Sequence, residues 1–253
     1  MAWFFADMNG RQPRLSIIVP ALNEEAAIVA TFQITREVVD RLGVSSEFLL
    51  VDDGSTDRTG ALMENIAKTD RRVRVFHHER PKNIGLAFRR GVEESRGEFV
   101  MMVAGDNETS RQALENIIGK IGQADVILSY PVNPEMRSLR RRFISSGYVL
   151  FFNTLFWLKM RYWNGTFLIR RNFLLQLPPW TPGFAFISEI LIQLVKGGAS
   201  YKEVPVELQP RLGGVSKALS VKNLMLVLGT IGRLVWRVYF SRNKLVLAKA
   251  KIH

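Results

Sequence analysis

The chain has 253 residues, 47% of them hydrophobic, enough for one large domain with a substantial core and too many for a disordered protein. Cysteine is absent and histidine is limited to His77, His78 and His253, which excludes disulfides, thiolate nucleophiles and any ordinary zinc site. The net charge of +12 is unevenly spread: up to Glu135 there are 16 basic and 20 acidic residues, and from Met136 onward 19 basic residues face three acids, Glu189, Glu203 and Glu207.

Leu15–Pro20 is a short apolar run that ends at proline and reads as a buried strand. Helical spacing follows over Glu24–Arg41. Phe48–Val51 is a second buried strand and runs into Asp52-Asp53-Gly54-Ser55, with a helix beyond it capped by Ser55 or Thr56. Val73–Phe76 is a third strand, and Asn83–Ser95 a helix with Asn83 as its cap. Phe99–Val103 is a fourth strand, ending at Ala104-Gly105-Asp106-Asn107-Glu108; a helix over Arg111–Ile121 and a strand at Val126–Leu128 follow. Strands alternating with helices predict a mostly parallel sheet covered on both faces, with ligands beyond the carboxyl ends of the strands. The acidic clusters fall at those ends: Asn23-Glu24, Asp52-Asp53, and Asp106 with Glu108.

In the second half, Arg137–Met160 opens with four arginines in six residues and becomes apolar and aromatic. Thr166–Ile169 and Tyr201–Val206 read as strands, Phe186–Lys196 as a helix and Leu219–Tyr239 as a long helix punctuated by Lys222, Arg233 and Arg237. This divides the chain into a domain over 1–218 and a basic amphipathic segment over 219–253. The apolar stretches Gly147–Leu158 and Leu224–Gly232 are shorter than the ~20 residues of a membrane span. Met1–Arg14 lacks the basic start and long apolar run of a signal peptide. The expected location is therefore cytoplasmic, at most on the cytoplasmic face of a membrane.

Four motifs carry chemistry. Two carboxylates and a glycine turn at Asp52-Asp53-Gly54 can accept hydrogen bonds from a base N–H or ribose hydroxyls; the same residues also suit a plain turn. Asp106 and Glu108 offer hard oxygens to Mg²⁺ or Mn²⁺, and equally read as an exposed turn before a helix capped by Thr109 or Ser110. Arg137, Arg140, Arg141 and Arg142 suit bidentate phosphate binding beside apolar residues that suit a lipid or a membrane interface. They could also be a solvated charge run, but no acid lies between Glu135 and Glu189 to balance them. Arg211-Leu212-Gly213-Gly214-Val215-Ser216-Lys217 could wrap a phosphate, or be a flexible basic loop; it does not match the P-loop pattern.

The motifs in this order resemble the inverting family-2 glycosyltransferases, in the branch typified by dolichol-phosphate mannose synthase and bacterial polyprenyl-phosphate glycosyltransferases. The matching residues are Ile18–Glu25, Val51–Asp57, Asn83–Ala87, Asp106–Glu108, Arg141–Ser145, Asn164-Gly165, Phe184–Glu189, Glu203–Val206, and Arg211 with Ser216-Lys217, spread over Leu15 to Lys222. The resemblance implies an α/β, glycosyltransferase A-type nucleotide-binding fold. It implies a nucleoside site at Pro20, Ala21, Glu24, Asp52 and Asp53, and a divalent ion, Mg²⁺ or Mn²⁺, on Asp106 with Glu108 helping. Arg141, Arg142, Ser145 and Ser216 would hold an acceptor phosphate. Arg211 and Lys217 would neutralise phosphate charge, and Glu189 would face the sugar or the metal. The family's usual Asp-x-Asp is departed from, because Ala104 stands at its first carboxylate position. The implied partners are a nucleotide-sugar donor, a lipid phosphate acceptor and a membrane surface, with the apolar runs also able to complete the core or an oligomer interface. Transfer to a saccharide or soluble acceptor, with Glu189 as base, is the alternative reaction. A basic nucleic-acid-binding protein is the alternative of another class, against which the acidic strand ends speak; a donor-binding protein without activity is a third, motivated by Ala104.

Overall fold

A computed structural model describes residues 12–183, 185–208 and 229–240. Its elements run β1 Leu15–Ala21, α1 Ile28–Arg41, β2 Ser46–Asp52, α2 Thr59–Thr69, β3 Val73–His77, α3 Ile84–Glu94 and β4 Phe99–Met102. They continue with α4 Arg111–Ile118, β5 Val126–Pro131, α5 Leu139–Phe156, β6 Phe167–Arg170, α6 Arg171–Gln176, α7 Phe186–Lys196 and β7 Tyr201–Val206. Residues 229–240 are helical, the last turn, Trp236–Phe240, being wider than an α-helix.

The seven strands form one sheet in the order β3-β2-β1-β4-β6-β5-β7. Neighbours are parallel except β6, which runs against both β4 and β5. Two reversals cancel, so β1 to β5 and β7 all point their carboxyl ends at the same edge. This is the mostly parallel, doubly covered sheet expected from the alternating strands and helices.

The buried runs divide by pleat, since successive side chains of a strand face opposite sides. Ile17, Val19, Phe48 and Leu50 point into one core with Phe32, Met63, Leu114 and Ile117 from α1, α2 and α4. Ile18, Leu49 and Val51 point into the other, with Phe88, Phe152, Ile190 and Leu234 from α3, α5, α7 and the terminal helical segment. Burial on both faces explains why these strands read as continuous apolar runs.

Helix α5 departs from that pattern. Of its 18 residues only Phe152 and Phe156 are buried. Leu139, Phe143 and Leu150 are exposed, as is Trp157 just beyond, at 84%. The terminal segment packs beside it: Tyr239 stacks on Phe156 and donates its hydroxyl to the Leu155 carbonyl at 2.6 Å. Trp236 and Phe240 remain exposed there. Among the described residues no helix is long and apolar enough to cross a membrane. The remainder of the stretch Leu219–Tyr239, and the whole of 241–253, lies outside the described residues.

Candidate active site

The carboxyl edge is assembled on β1. Ala21 pairs with Asp52 in the β1–β2 register, and Asp53 N–H donates to the Ala21 carbonyl at 2.9 Å. On the other side Gly105 N–H donates to the Pro20 carbonyl at 3.1 Å, and the Thr31 hydroxyl holds the Gly105 carbonyl. A side chain at Gly105 would bring its Cβ to 2.7 Å from Ala21 Cβ, so this close approach needs glycine. Pro20 and Ala21 are therefore a buried floor, with Asp52 on one flank and Asp106 on the other.

Two loops at the edge latch together. Asn23, in the left-handed region at φ 58°, donates its N–H to Ser55 Oγ and accepts Thr56 N–H at 2.8 Å. Glu24 N–H donates to Thr59 Oγ1 at 2.8 Å, and Glu25 pairs with Arg58. This corrects the cap expected at Ser55 or Thr56. Those groups are used by Asn23, and α2 starts later, at Thr59, whose N–H and hydroxyl both donate to Asp57. Asn83 does sit at the cap position of α3, but its side chain makes no capping bond there. Ser110 caps α4 by accepting Ala113 N–H.

The adjacent acids of the Asp-Asp pair have different surroundings. Asp53 is 3% exposed and turned inward. It accepts Lys82 N–H and Asn83 N–H at 2.9 Å each, and lies 2.7 Å from His78 Nδ1. Its carboxylate is thus spent on holding the chain between β3 and α3. Asp52 accepts Ser55 N–H at 2.9 Å, bonds the Ser55 side chain and meets His77 Nδ1 at 3.0 Å, fewer partners than the about four acceptor sites of a carboxylate. Burial pushes the Asp52 carboxyl up, but hydrogen bonds from Ser55 and His77 outweigh it and hold it below the ordinary aspartate value. A depression of about 480 Å³ opens beside this pair, lined by His77, His78, Glu79, Arg80, Lys82 and Arg90; Asp106 is not in its lining.

Asp106 is half-buried and Glu108 exposed. Asn107 between them is left-handed at φ 56°, and Glu108 N–H returns to Asp106 Oδ1 at 3.1 Å. Among the described residues no three His, Asp, Glu or Cys side chains gather closely enough to cage a metal ion. With Ala104 in place of a carboxylate, the donor set is one or two carboxylates. That fits an ion of the Mg²⁺ or Mn²⁺ kind, which takes its remaining ligands from phosphate oxygens and water.

The cationic residues are placed as follows. β5 ends at the same edge, and a short turn at Pro134–Met136 leads into α5. Arg140, Arg141 and Arg142 stand exposed on its first turn, and among the described residues none is in an ion pair. Ser145 is half-buried one turn further on. Arg211, Ser216 and Lys217 lie outside the described residues. Glu189 differs from the expectation that it faces the sugar or the metal. It is 0% exposed, accepts Thr181 N–H at 2.7 Å and meets Arg237 at 3.4 Å, with Arg233 at 3.9 Å. The terminal helical segment covers it, and burial pushes its carboxyl up against the pull of the two arginines.

Three further residues belong to this description. His77 meets Asp52 and is itself met by Glu64, and Arg237 meets Glu189; the sequence marks Arg237 only as a break in an apolar stretch and gives His77 and Glu64 no role. The available signals were the His77-His78 pair ending the strand beside Asp52-Asp53, and Arg233 and Arg237 four residues apart on an apolar helix.

A buried proline–alanine floor between an acid ending β2 and another after β4, on this mostly parallel sheet, belongs to an α/β domain of the glycosyltransferase A type. The glycosyl transferase family 2 model matches residues 16–177, and the chain belongs to that family. Glycosyltransferase GlyG of Streptococcus pneumoniae is 28% identical over 116 residues, 45% of this chain and 38% of that protein. The undecaprenyl-phosphate 4-deoxy-4-formamido-L-arabinose transferase of Pseudomonas paraeruginosa is 30% identical over 130 residues, 50% of this chain and 38% of that protein. These matches span less than two-fifths of the length of those relatives. Among solved structures, glucosyl-3-phosphoglycerate synthase from Mycobacterium tuberculosis with uridine diphosphate superposes with a TM-score of 0.68 at 20% identity, over 88% of this chain and 80% of that one. The same synthase in complex with Mn²⁺, UDP-glucose and phosphoglyceric acid also gives 0.68. At this identity the likeness is one of fold.

Proposed function

We propose that the chain transfers a sugar, with inversion, from a nucleotide-sugar donor to a polyprenyl-type lipid phosphate at the cytoplasmic face of a membrane, assisted by Mg²⁺ or Mn²⁺. The observation that carries this reading is the single edge on which Asp52 and Asp106 flank the Pro20–Ala21 floor, next to the start of an arginine-bearing helix with exposed apolar residues. Solved relatives of this fold were crystallised with UDP and Mn²⁺ or Mg²⁺, and a sequence relative is named for an undecaprenyl-phosphate acceptor.

In this reading Pro20, Ala21 and Glu24 line the nucleoside and Asp52 accepts hydrogen bonds from it. A divalent ion on Asp106, with Glu108 beside it, would neutralise charge on the leaving diphosphate. Arg141, Arg142 and Ser145 orient the acceptor phosphate, and Arg211, Ser216 and Lys217 add phosphate contacts. The acceptor oxygen is already anionic at neutral pH, so no strong base is needed. It forms the new bond to the anomeric carbon as the bond to the donor phosphate oxygen breaks, and the diphosphate leaves with the electron pair. Alignment and charge neutralisation carry the rate. The enclosure of Glu189 speaks for this over transfer to a saccharide hydroxyl, where an accessible base is required.

The apolar side chains of α5 beside its exposed arginines suit an anionic leaflet, where each basic residue contributes ~1 kcal/mol. The test is incubation of the purified protein with nucleotide-sugars, Mn²⁺ or Mg²⁺ and polyprenyl phosphate, with detection of a sugar-lipid by mass spectrometry. Transfer to a soluble acceptor but never to the lipid would sink the acceptor assignment. Flotation with anionic liposomes at low salt tests the membrane part, and Trp157→Asp together with Phe143→Asp should abolish co-flotation.

A further inference from the structure

Asp52 is held by a residue on the neighbouring strand. The β2–β3 register places His77 directly beside it. His77 Nδ1 lies 3.0 Å from Asp52 Oδ2, and His77 Nε2 lies 2.9 Å from Glu64 Oε1 on α2. Room for this contact comes from Gly60, in the first turn of α2. A Cβ there would sit 2.7 Å from Asp52 Oδ2 and 3.2 Å from His77 Cε1.

We propose that His77, bridging Asp52 and Glu64, is the positioning residue that fixes the Asp52 carboxylate toward the nucleoside of the donor. The proposal rests on the reading of Asp52 as a nucleoside contact. Both ring nitrogens face a carboxylate, so only the imidazolium can donate to both; a neutral ring would turn a lone pair toward one of them. Ser55 holds Asp52 through its N–H on Oδ1 and through its side chain, and His77 stands on Oδ2; a carboxylate has about four acceptor sites, so capacity for a ligand remains.

The bridge makes donor binding depend on pH. The Glu64 bond, and next the Asp52 bond, raise the His77 pKa above its ordinary 6.5. Asp52 and Glu64 face the ring directly, and Glu79, Arg80 and Lys82 line the depression that His77 shares. A raised imidazole keeps its contribution at low pH and loses it as pH rises through the folded value. Nucleotide affinity should therefore fall as pH rises through this raised value and the proton leaves.

The experiment is calorimetric titration of UDP, with GDP, CDP and dTDP in parallel, into wild type, His77→Gln, Glu64→Gln and Asp52→Asn in the presence of Mn²⁺, from about pH 6 to about pH 8.5. The side chains of His77 and Glu64 are 44% and 51% exposed, so both variants should fold, and circular dichroism checks this. His77→Gln is expected to weaken binding about tenfold at the acid end and to flatten the pH profile relative to wild type. Glu64→Gln should stay within about threefold at the acid end but lose affinity at lower pH than wild type does. If His77→Gln keeps wild-type affinity and profile while Asp52→Asn loses binding, the positioning role is wrong and the nucleoside reading stands. If Asp52→Asn binds as tightly as wild type, or wild type binds none of the four nucleotides, the nucleoside reading fails and the role of His77 with it.

Discussion

Asp53 provides the sharpest test of how the edge is built, because its neighbour in the same motif is assigned a different task. In Asp53→Ala, Lys82 N–H and Asn83 N–H lose their acceptor and His78, whose side chain is 8% exposed, loses its partner. Hydrogen bonds to a charged group are worth about 1.5–3 kcal/mol each, and an orphaned buried group costs about as much. Lys82 and Asn83 are themselves exposed, so water can reach their N–H groups and the lower end applies to them. The expected loss is about 3–5 kcal/mol, which for a chain of this size lowers the melting temperature by roughly 10 °C. Asp53→Asn retains one acceptor oxygen and should lose about half as much. Urea unfolding followed by tryptophan fluorescence, with an unchanged slope, measures both. If Asp53→Ala unfolds within about 1 kcal/mol of wild type yet no longer binds nucleotide, Asp53 is a ligand contact and the assignment above is refuted.

Three other outcomes are expected. Asp106→Ala should lower sugar transfer by about a hundredfold or more in a product assay, with stability little changed, because among the described residues Asp106 holds only the Glu108 N–H in its own turn. Gly165→Ala should destabilise strongly, by about 3 kcal/mol or more in the same urea assay, since its Cβ would meet the backbone carbonyl of Ser129, which cannot swing away. Burial pushes the Asp125 carboxyl up, but bonds from Ser200 and Arg170 hold it below 3.8. The stability this supplies is complete above 3.8 and is lost as pH falls through the depressed value, so acid unfolding of Asp125→Asn should be less steep there than that of wild type.

The strands were legible because each is an apolar run closed by a turn residue, and the acids at their ends could be placed on one edge from topology alone. The split between Asp52 and Asp53 was not legible. Both side chains are buried, and what separates them is their partners: those of Asp53, Lys82 and Asn83, are 29 and 30 residues away. The start of α2 was misread for a similar reason: Ser55 and Thr56 have good capping side chains, but Asn23, more than 30 residues earlier, claims them. The reversal of β6 has no local signature, since a strand between two parallel neighbours is equally apolar in either direction. The stretch of α5 reads in the sequence as an apolar run suited to a lipid or membrane interface or to completing the core, and its periodicity does not mark a helix; only two of its 18 side chains are buried.

Polar contacts linked through short stretches of chain run from Asp53 to the basic terminal segment. Asp53 fixes Lys82 and Asn83; two residues on, Gly85 N–H donates to the Pro182 carbonyl at 3.0 Å and its own carbonyl accepts Trp180 Nε1 at 2.9 Å. No side chain fits at Gly85, where a Cβ would lie 2.6 Å from the Thr181 carbonyl. Thr181 N–H then donates to Glu189, whose other oxygen meets Arg237. Each contact is local, but together they set where α7 and the terminal helix stand relative to Asp52. A carboxylate enclosed in this series is poorly placed to take a proton from a substrate and well placed to anchor Arg237. Removing it would leave the buried Thr181 N–H without its acceptor and Arg237, whose side chain is 29% exposed, with only Gln193 of the two partners Glu189 and Gln193. On the proposed reaction this is the coherent arrangement: an acceptor that arrives already anionic needs no base from the protein, so the one deeply buried acid of the cationic half is free to hold structure.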